Sequence, residues 1–211
     1  MLDDFISRTA QELKDLYQCH TVILYGSRAT GNFNASSDYD LAAFAPIADM
    51  QRVAEWRDGQ YLDLFIYPEA QLQAASDEFL KLLDGQVLFE RDTAGTQLLA
   101  MVQAHFNKGP TPLPPDEASA RRAWAWKMLR RAEVGDSEGH YRRHWLLMAL
   151  LEDWFHLRTQ WYLGPKRSLN FLRQHHPEAN ASFEKALHPQ ADLADIAALI
   201  AHVTGLNAPP A

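Results

Sequence analysis

The feature that most constrains the fold is a change of pattern in the middle of the chain, at a proline-rich segment. Residues 108–115 hold four of the eleven prolines, and such a segment is typical of a stiff, extended linker. Before it, short apolar runs alternate with helical patterns, whereas after it only helical patterns follow one another. The sequence therefore predicts two domains, residues 1–107 and residues 116–211, joined by this linker.

The first segment predicts an α+β fold, in which a small mixed β-sheet has flanking helices. Its predicted strands, which are short and rich in apolar residues, are residues 21–25, 38–44, 60–67 and 86–90. Its predicted helices are residues 3–18, 47–57, 76–83 and 94–106. After the linker, the pattern predicts an all-helical bundle. Its helices are expected at residues 116–134, 139–163, 166–175, 178–187 and 191–203.

The formal net charge of −7 is distributed unevenly along the chain. Residues 1–107 carry a net charge of −9, and residues 108–211 carry a net charge of +2. A protein that binds duplex DNA would instead show a basic footprint. The charge distribution therefore argues against duplex DNA as a partner.

Cysteine usage and hydropathy favour a cytoplasmic location. Cys19 is the only cysteine, which excludes an internal disulfide framework and is typical of a reducing compartment. We expect it to be a buried thiol at the end of the first helix. No apolar run approaches the roughly 18–20 residues of a membrane span, and the N-terminus lacks the pattern of a signal peptide. We therefore expect no membrane partner.

Three carboxylates in the first segment are the main indication of chemistry. Asp38 and Asp40 lie two residues apart on a predicted strand, so both project from one face, while Tyr39 and Leu41 point towards the core. Asp63 belongs to the next predicted strand and points away from the apolar face of that strand. The three carboxylates meet on one side of the sheet if the two strands are neighbours. Carboxylates that close repel unless a cation lies between them. A hard divalent ion, Mg²⁺ or Mn²⁺, is the natural solution, and two such ions commonly assist phosphoryl displacement.

A second indication is the corner Gly26-Ser27-Arg28, where a predicted strand runs into a short helix. Glycine lets the backbone approach a ligand closely, and a helix N-terminus directs free N–H groups towards an anion. The hydroxyl of Ser27 adds a donor. Such a corner suits a polyphosphate, and Gly26, Ser27 and Arg28 are the candidate nucleotide-binding residues.

The joint pattern resembles the nucleotidyltransferase superfamily, to which DNA polymerase beta and kanamycin nucleotidyltransferase belong. The signature of this family is an apolar residue, Gly, then Gly or Ser, a short spacer, and Asp, an apolar residue and Asp or Glu. Here Gly26-Ser27 is followed after ten residues by Asp38-Tyr39-Asp40-Leu41. The resemblance covers roughly residues 20–92. Within it, residues 25–41 look like those of the small bacterial members.

The resemblance implies a role for each candidate residue. Asp38 and Asp40 would bind the metal, and Gly26 and Ser27 would hold a nucleoside triphosphate. Asp63 would be the third carboxylate, either as a metal ligand or as a base near the attacking hydroxyl. The implied enzyme transfers a nucleoside monophosphate, expected to be AMP, to a hydroxyl of a small molecule or a protein and releases pyrophosphate. An aminoglycoside or lincosamide antibiotic is one acceptor that the resemblance suggests, and the base preference stays open.

The helical segment looks like the bundles that follow the catalytic domain in bacterial small-molecule nucleotidyltransferases. The resemblance rests on residues 150–158 and 161–168. The arginine pairs of this segment are Arg121-Arg122, Arg130-Arg131 and Arg142-Arg143. A solvated helix face is the simpler interpretation, and the alternative is that one or two of these arginines, with Lys166 or Arg167, reach the triphosphate. Glu152 is a candidate general base, although a structural carboxylate with a partner is the simpler interpretation.

A non-catalytic role is the alternative, because small nucleotidyltransferase domains also act as antitoxins through protein partners. Some toxins of such pairs are ribonucleases in which Arg is followed by four to six residues and then His. No arginine of this chain has a histidine at those spacings. That counts against a fused ribonuclease and leaves a regulatory pair open. The oligomeric state also stays open, with a homodimer as one alternative.

Overall fold

The computed structural model describes residues 4–209. The chain forms two compact units, Met1–Lys108 and Gly109–Ala211. The expected first residue of the first helix, Asp3, lies outside the described residues. Each unit contains a hydrophobic core cluster of its own.

The first unit contains a mixed five-stranded sheet. Its strands are β1 (Thr21–Tyr25), β2 (Tyr39–Ala45), β3 (Gln51–Arg57), β4 (Gln60–Pro68) and β5 (Gln86–Phe89). Its helices are α1 (Asp4–Tyr17), α2 (Gly26–Ala29) and α3 (Ala94–Lys108), with 3₁₀ helices at Glu69–Gln73 and Asp77–Leu82. The strand order is β3-β4-β2-β1-β5; β2 and β4 are parallel, and the other neighbours are antiparallel. The predicted α+β fold with a small mixed sheet is therefore confirmed.

Helix α1 covers one face of the sheet because its apolar residues recur at helical spacing. Phe5, Ile6 and Leu13 are buried there and join residues of β2 and β4, such as Leu41 and Leu62, in one core cluster. The thiol of Cys19 is buried as expected, and burial raises its pKa to about 11. Since side chains alternate along a strand, the polar neighbours of these core residues emerge on the opposite face.

The predicted helix at residues 47–57 is wrong, because most of this segment forms the edge strand β3. Gln51–Arg57 pairs with β4 along its full length, and only alternate residues are partly buried. The connection is the dipeptide Asp58-Gly59, in which both residues have positive φ, 51° and 76°. Such a dipeptide is typical of a two-residue hairpin, in which both central residues need positive φ. The apolar content of β3 is low because an edge strand buries little, and this hid the strand.

The second unit consists of helices. They are α4 (Pro115–Ala132), α5 (Ser137–His156), α6 (Pro165–His175), α7 (Pro177–Leu187) and α8 (Leu193–Thr204). The predicted all-helical character is confirmed for the described residues. Helix α5 ends earlier than the predicted residue 163, and Thr159, with a φ of 53°, lies in the irregular segment that follows. None of the helices in residues 4–209 is long and apolar enough to cross a membrane.

Candidate functional site

Two carboxylates lie side by side on neighbouring strands, close to the start of each strand. The parallel register of β2 and β4 pairs Asp40 with Asp63, and the antiparallel register of β1 places Tyr25 opposite Asp40. The three side chains therefore project from one face of the sheet, opposite to the face that α1 covers. Asp40 is partly buried, and the side chain of Asp63 is 19% exposed.

The backbone of Gly26 lies directly against the carboxylate of Asp40. A Cβ atom added to Gly26 would lie 2.3 Å from Oδ2 of Asp40, and the φ of Gly26 is +73°. Glycine is therefore needed here twice, for a left-handed backbone and for the missing Cβ. The following residue, Ser27, is the second residue of α2 and is partly buried. The strand-to-helix corner predicted from the sequence is thus in contact with one of the predicted carboxylates.

Arg28 holds the loop that leads into β2. Its Nε and Nη2 donate to the carbonyl oxygen of Ser37 at 3.0 and 2.8 Å, and Nε also donates to that of Asp38 at 3.2 Å. Its guanidinium lies 3.6 Å from the ring centre of Tyr39. These contacts give Arg28 a positioning role for the segment that carries Asp38, and its contact with a nucleotide stays a prediction. Asp38 itself precedes β2 and is exposed.

Asp63 is bound by a residue that the sequence analysis did not single out. Arg52 of β3 donates from Nε to Oδ1 at 2.8 Å and from Nη2 to Oδ2 at 3.0 Å. This side-on pair uses both oxygens of Asp63, and hydrogen bonding to Asp63 raises the pKa of Arg52. Because residues 47–57 were expected to form a helix, Arg52 could not be placed beside Asp63. Only the hairpin signal of Asp58-Gly59 would have revealed it.

A second cation, Lys81, lies on aromatic rings of the same face. Its Nζ is 3.7 Å from the ring centre of Phe65, 5.4 Å from that of Tyr67 and 5.8 Å from that of Tyr25. Burial lowers the pKa of Lys81, against the opposing effects of Glu78 and of the two site carboxylates. Lys81 belongs to the 3₁₀ helix Asp77–Leu82, and nothing in its local sequence pattern indicated that it lies near Asp40 and Asp63.

The carboxylates fit a divalent cation only if substrate phosphates and water supply its remaining ligands. Within residues 4–209, no group of three or more His, Cys, Asp or Glu side chains is arranged to hold a metal ion. Both oxygens of Asp63 are occupied by Arg52, and Asp38 is exposed. Mg²⁺, however, needs only one or two protein carboxylates when substrate phosphates and water complete its octahedron. The roles of Asp38 and Asp40 as metal ligands therefore stay a prediction.

Two of the arginines of the second unit that were candidates for phosphate binding, Arg121 and Arg122, have structural contacts. Arg121 donates to the buried Asp153 at 2.8 Å, and Arg122 donates to the carbonyl oxygen of Thr204 at the end of α8. Of the two neighbouring carboxylates of α5, Asp153 is therefore the paired structural one, and Glu152 is exposed. A catalytic role of Glu152 stays a prediction.

Comparison with known proteins finds a similar family for part of the first unit. Residues 6–85 match the family described as nucleotidyltransferase domain. Among solved structures, the chain is similar to a nucleotidyltransferase-like protein from Exiguobacterium sibiricum, with 15% sequence identity and a TM-score of 0.41 over 94% of this chain and 73% of the other. No curated protein matches the chain.

Proposed function

We propose that the protein transfers a nucleoside monophosphate from a nucleoside triphosphate to a hydroxyl group, because residues 6–85 match the nucleotidyltransferase domain family. The observation that supports this most is the contact of Gly26 with Asp40, together with the register that sets Asp40 beside Asp63. A strand-to-helix corner with a glycine thus adjoins a pair of carboxylates. We propose AMP as the transferred group, a small molecule or a protein as the acceptor and the cytoplasm as the location.

Each residue of the site has a part in this reaction. The acceptor oxygen forms a bond to the α-phosphorus, the bond from that phosphorus to the bridging oxygen breaks, and pyrophosphate leaves. Gly26 and Ser27 hold the triphosphate through backbone N–H groups and the Ser27 hydroxyl. Asp63, once released by Arg52, orients the acceptor hydroxyl and accepts its proton. Arg28 keeps the preceding loop in place.

Asp38 and Asp40 would hold Mg²⁺ or Mn²⁺ together with phosphate oxygens. When bound, such an ion neutralises charge on the phosphates and polarises the reacting phosphorus centre. The side-by-side carboxylates also favour a cation at the site, since like charges at neighbouring strand positions repel. Arg52 already balances the charge of Asp63.

The direct test is Asp40→Asn, a change that keeps the shape of the side chain and removes its charge. Pyrophosphate release is measured with ATP, Mg²⁺ and a panel of hydroxyl acceptors that includes aminoglycosides, lincosamides and protein extract. We expect turnover to fall by about a hundredfold or more, because a charged ligand of the cation is lost. The matched control is Asp49→Asn, an exposed carboxylate outside the site, which should leave turnover unchanged. Equal turnover in the Asp40→Asn variant and the wild type would contradict the proposal.

The regulatory alternative has one observation in its favour, the pairing of Asp63 with Arg52. A third carboxylate that is permanently neutralised would suit a domain that binds partners without catalysis. Mass spectrometry after incubation with ATP and a lysate separates the two functions. An acceptor whose mass increases by one nucleoside monophosphate indicates the enzyme, and co-purification with a partner without such an increase indicates the regulatory role.

A further inference from the structure

Lys81 is a partly buried cation whose described contacts are aromatic rings. Its ammonium lies over Phe65 and near Tyr67 and Tyr25. Its ammonium group forms no ion pair and no hydrogen bond with a residue in the range 4–209. A charge removed from water without an anionic partner is unfavourable, and the ring faces offset only part of this cost. The arrangement therefore leaves an ammonium group with three free donors beside the carboxylate pair.

The other cation on this face cannot take the same role. Arg52 lies 4.9 Å from the ring centre of Phe65, but its Nε and Nη2 are both bound to Asp63. Its charge is thus already balanced by one carboxylate. Lys81 is affected electrostatically by Glu78, Asp63 and Asp40, yet it forms an ion pair with none of them. The free N–H donors on this face that an anion could bind are therefore those of Lys81.

We propose that Lys81 binds a phosphate group at this face of the sheet, next to Asp40 and Asp63. This inference rests on the proposed nucleotidyl transfer and adds an anion subsite to it. The phosphate belongs either to the nucleotide or to the acceptor. If it belongs to the acceptor, the natural acceptor is a phosphorylated alcohol, and a polycation such as an aminoglycoside is disfavoured because it would meet the ammonium group.

The experiment measures binding without turnover, by calorimetric titration of the full chain in the presence of Mg²⁺. The probes are a non-hydrolysable ATP analogue, inorganic phosphate and glycerol 3-phosphate, which carries both a phosphate and hydroxyl groups. The variant Lys81→Met keeps the apolar stem over Phe65 and removes the charge. The variant Lys81→Arg restores a cation. The control is Lys14→Met, because Lys14 also lies on a ring, 4.0 Å from the centre of Phe89, but outside the site.

We expect Lys81→Met to weaken binding of at least one probe by about 10- to 100-fold, the effect of losing a charge-assisted hydrogen bond. Loss confined to the ATP analogue assigns the phosphate to the nucleotide, and loss with glycerol 3-phosphate or inorganic phosphate assigns it to the acceptor. Lys81→Arg should recover part of the affinity, and Lys14→Met should behave as the wild type.

Thermal unfolding of the same variants distinguishes binding from a structural role. Removal of an unpaired, partly buried charge should leave the melting temperature of Lys81→Met equal to that of the wild type or higher. Unchanged affinity for all three probes, or a wild type that binds none of them, would overturn the inference. Binding that depends on Lys81 without any pyrophosphate release would leave the subsite standing and remove the proposed function.

Discussion

At the scale of single residues, the site depends on one glycine. Gly26 combines a φ of +73° with a position where a Cβ atom would meet Oδ2 of Asp40 at 2.3 Å. Gly31 has nearly the same φ, +77°, but nothing lies within 4 Å of a Cβ atom placed there. The two glycines thus separate the cost of the backbone conformation from the cost of the contact.

We predict that Gly26→Ala destabilises the first unit by more than Gly31→Ala. Both changes force alanine into the left-handed region, at a cost of about 1–3 kcal/mol. Only Gly26→Ala also displaces the carboxylate of Asp40, so it should also remove most of the transfer activity. The free energy of unfolding from urea titration and the rate of pyrophosphate release check this. Equal effects of the two substitutions on both quantities would show that the contact with Asp40 is unimportant.

Sequence spacing identifies the residues that a strand or a tight corner places, and misses those that packing places. Asp40, Asp63 and Gly26 could be singled out because period-two alternation and a glycine corner fix where they point. Arg52 and Lys81 reach the same face only through the pairing of an edge strand and the docking of a 3₁₀ helix. Neither arrangement leaves a periodic signal, so the two cations were not predicted.

At the scale of elements, a partly buried ion pair connects α4 with α5. Nη1 of Arg121 donates to Oδ1 of Asp153 at 2.8 Å, and the side chain of Asp153 is only 6% exposed. Arg121 also pairs with Glu117 within its own helix. The contact with Asp153, together with one to Nδ1 of His156 at 3.4 Å, therefore links Arg121 to α5.

We predict that Asp153→Asn lowers the free energy of unfolding by about 1–3 kcal/mol, because a neutral amide at this buried position matches the guanidinium of Arg121 poorly. The control is Glu138→Gln, which weakens the exposed pair between Glu138 and Arg142 within α5. This pair should contribute no more than about 0.5 kcal/mol. Chemical unfolding followed by circular dichroism measures both. A loss for Asp153→Asn no larger than for the control would contradict the role of the pair.

The central strands were predicted correctly because each buries a continuous apolar face. β1, β2 and β4 are central strands, and burial on at least one face gives each a clear pattern. β3 is an edge strand with Gln, Arg, Ala and Glu among its residues, which also favour helices. The hairpin dipeptide was the better evidence there, since turn geometry decides the register where hydrophobicity is weak.

At the scale of the whole molecule, the core cluster described in each unit consists of residues of that unit. The core cluster of the second unit extends from Ala125 to Val203 and includes the buried residues Trp154 and Phe183.

We predict that a polypeptide of residues 109–211 folds alone, with a helical circular dichroism spectrum and a cooperative thermal transition. Five of the six tryptophans lie in this range, so their fluorescence in the full chain gives a reference. A non-cooperative transition would show that the unit depends on the rest of the chain.

The topology of the first unit also has a consequence for the order in which the sheet assembles. β3 and β4 form a local hairpin, which closes much faster than the distant pairing of β4 with β2. Arg52 and Asp63 are on the two arms of this hairpin. The hairpin therefore carries Asp63 to Asp40 with its charge already balanced, and electrostatic repulsion between the two acids does not slow the docking step.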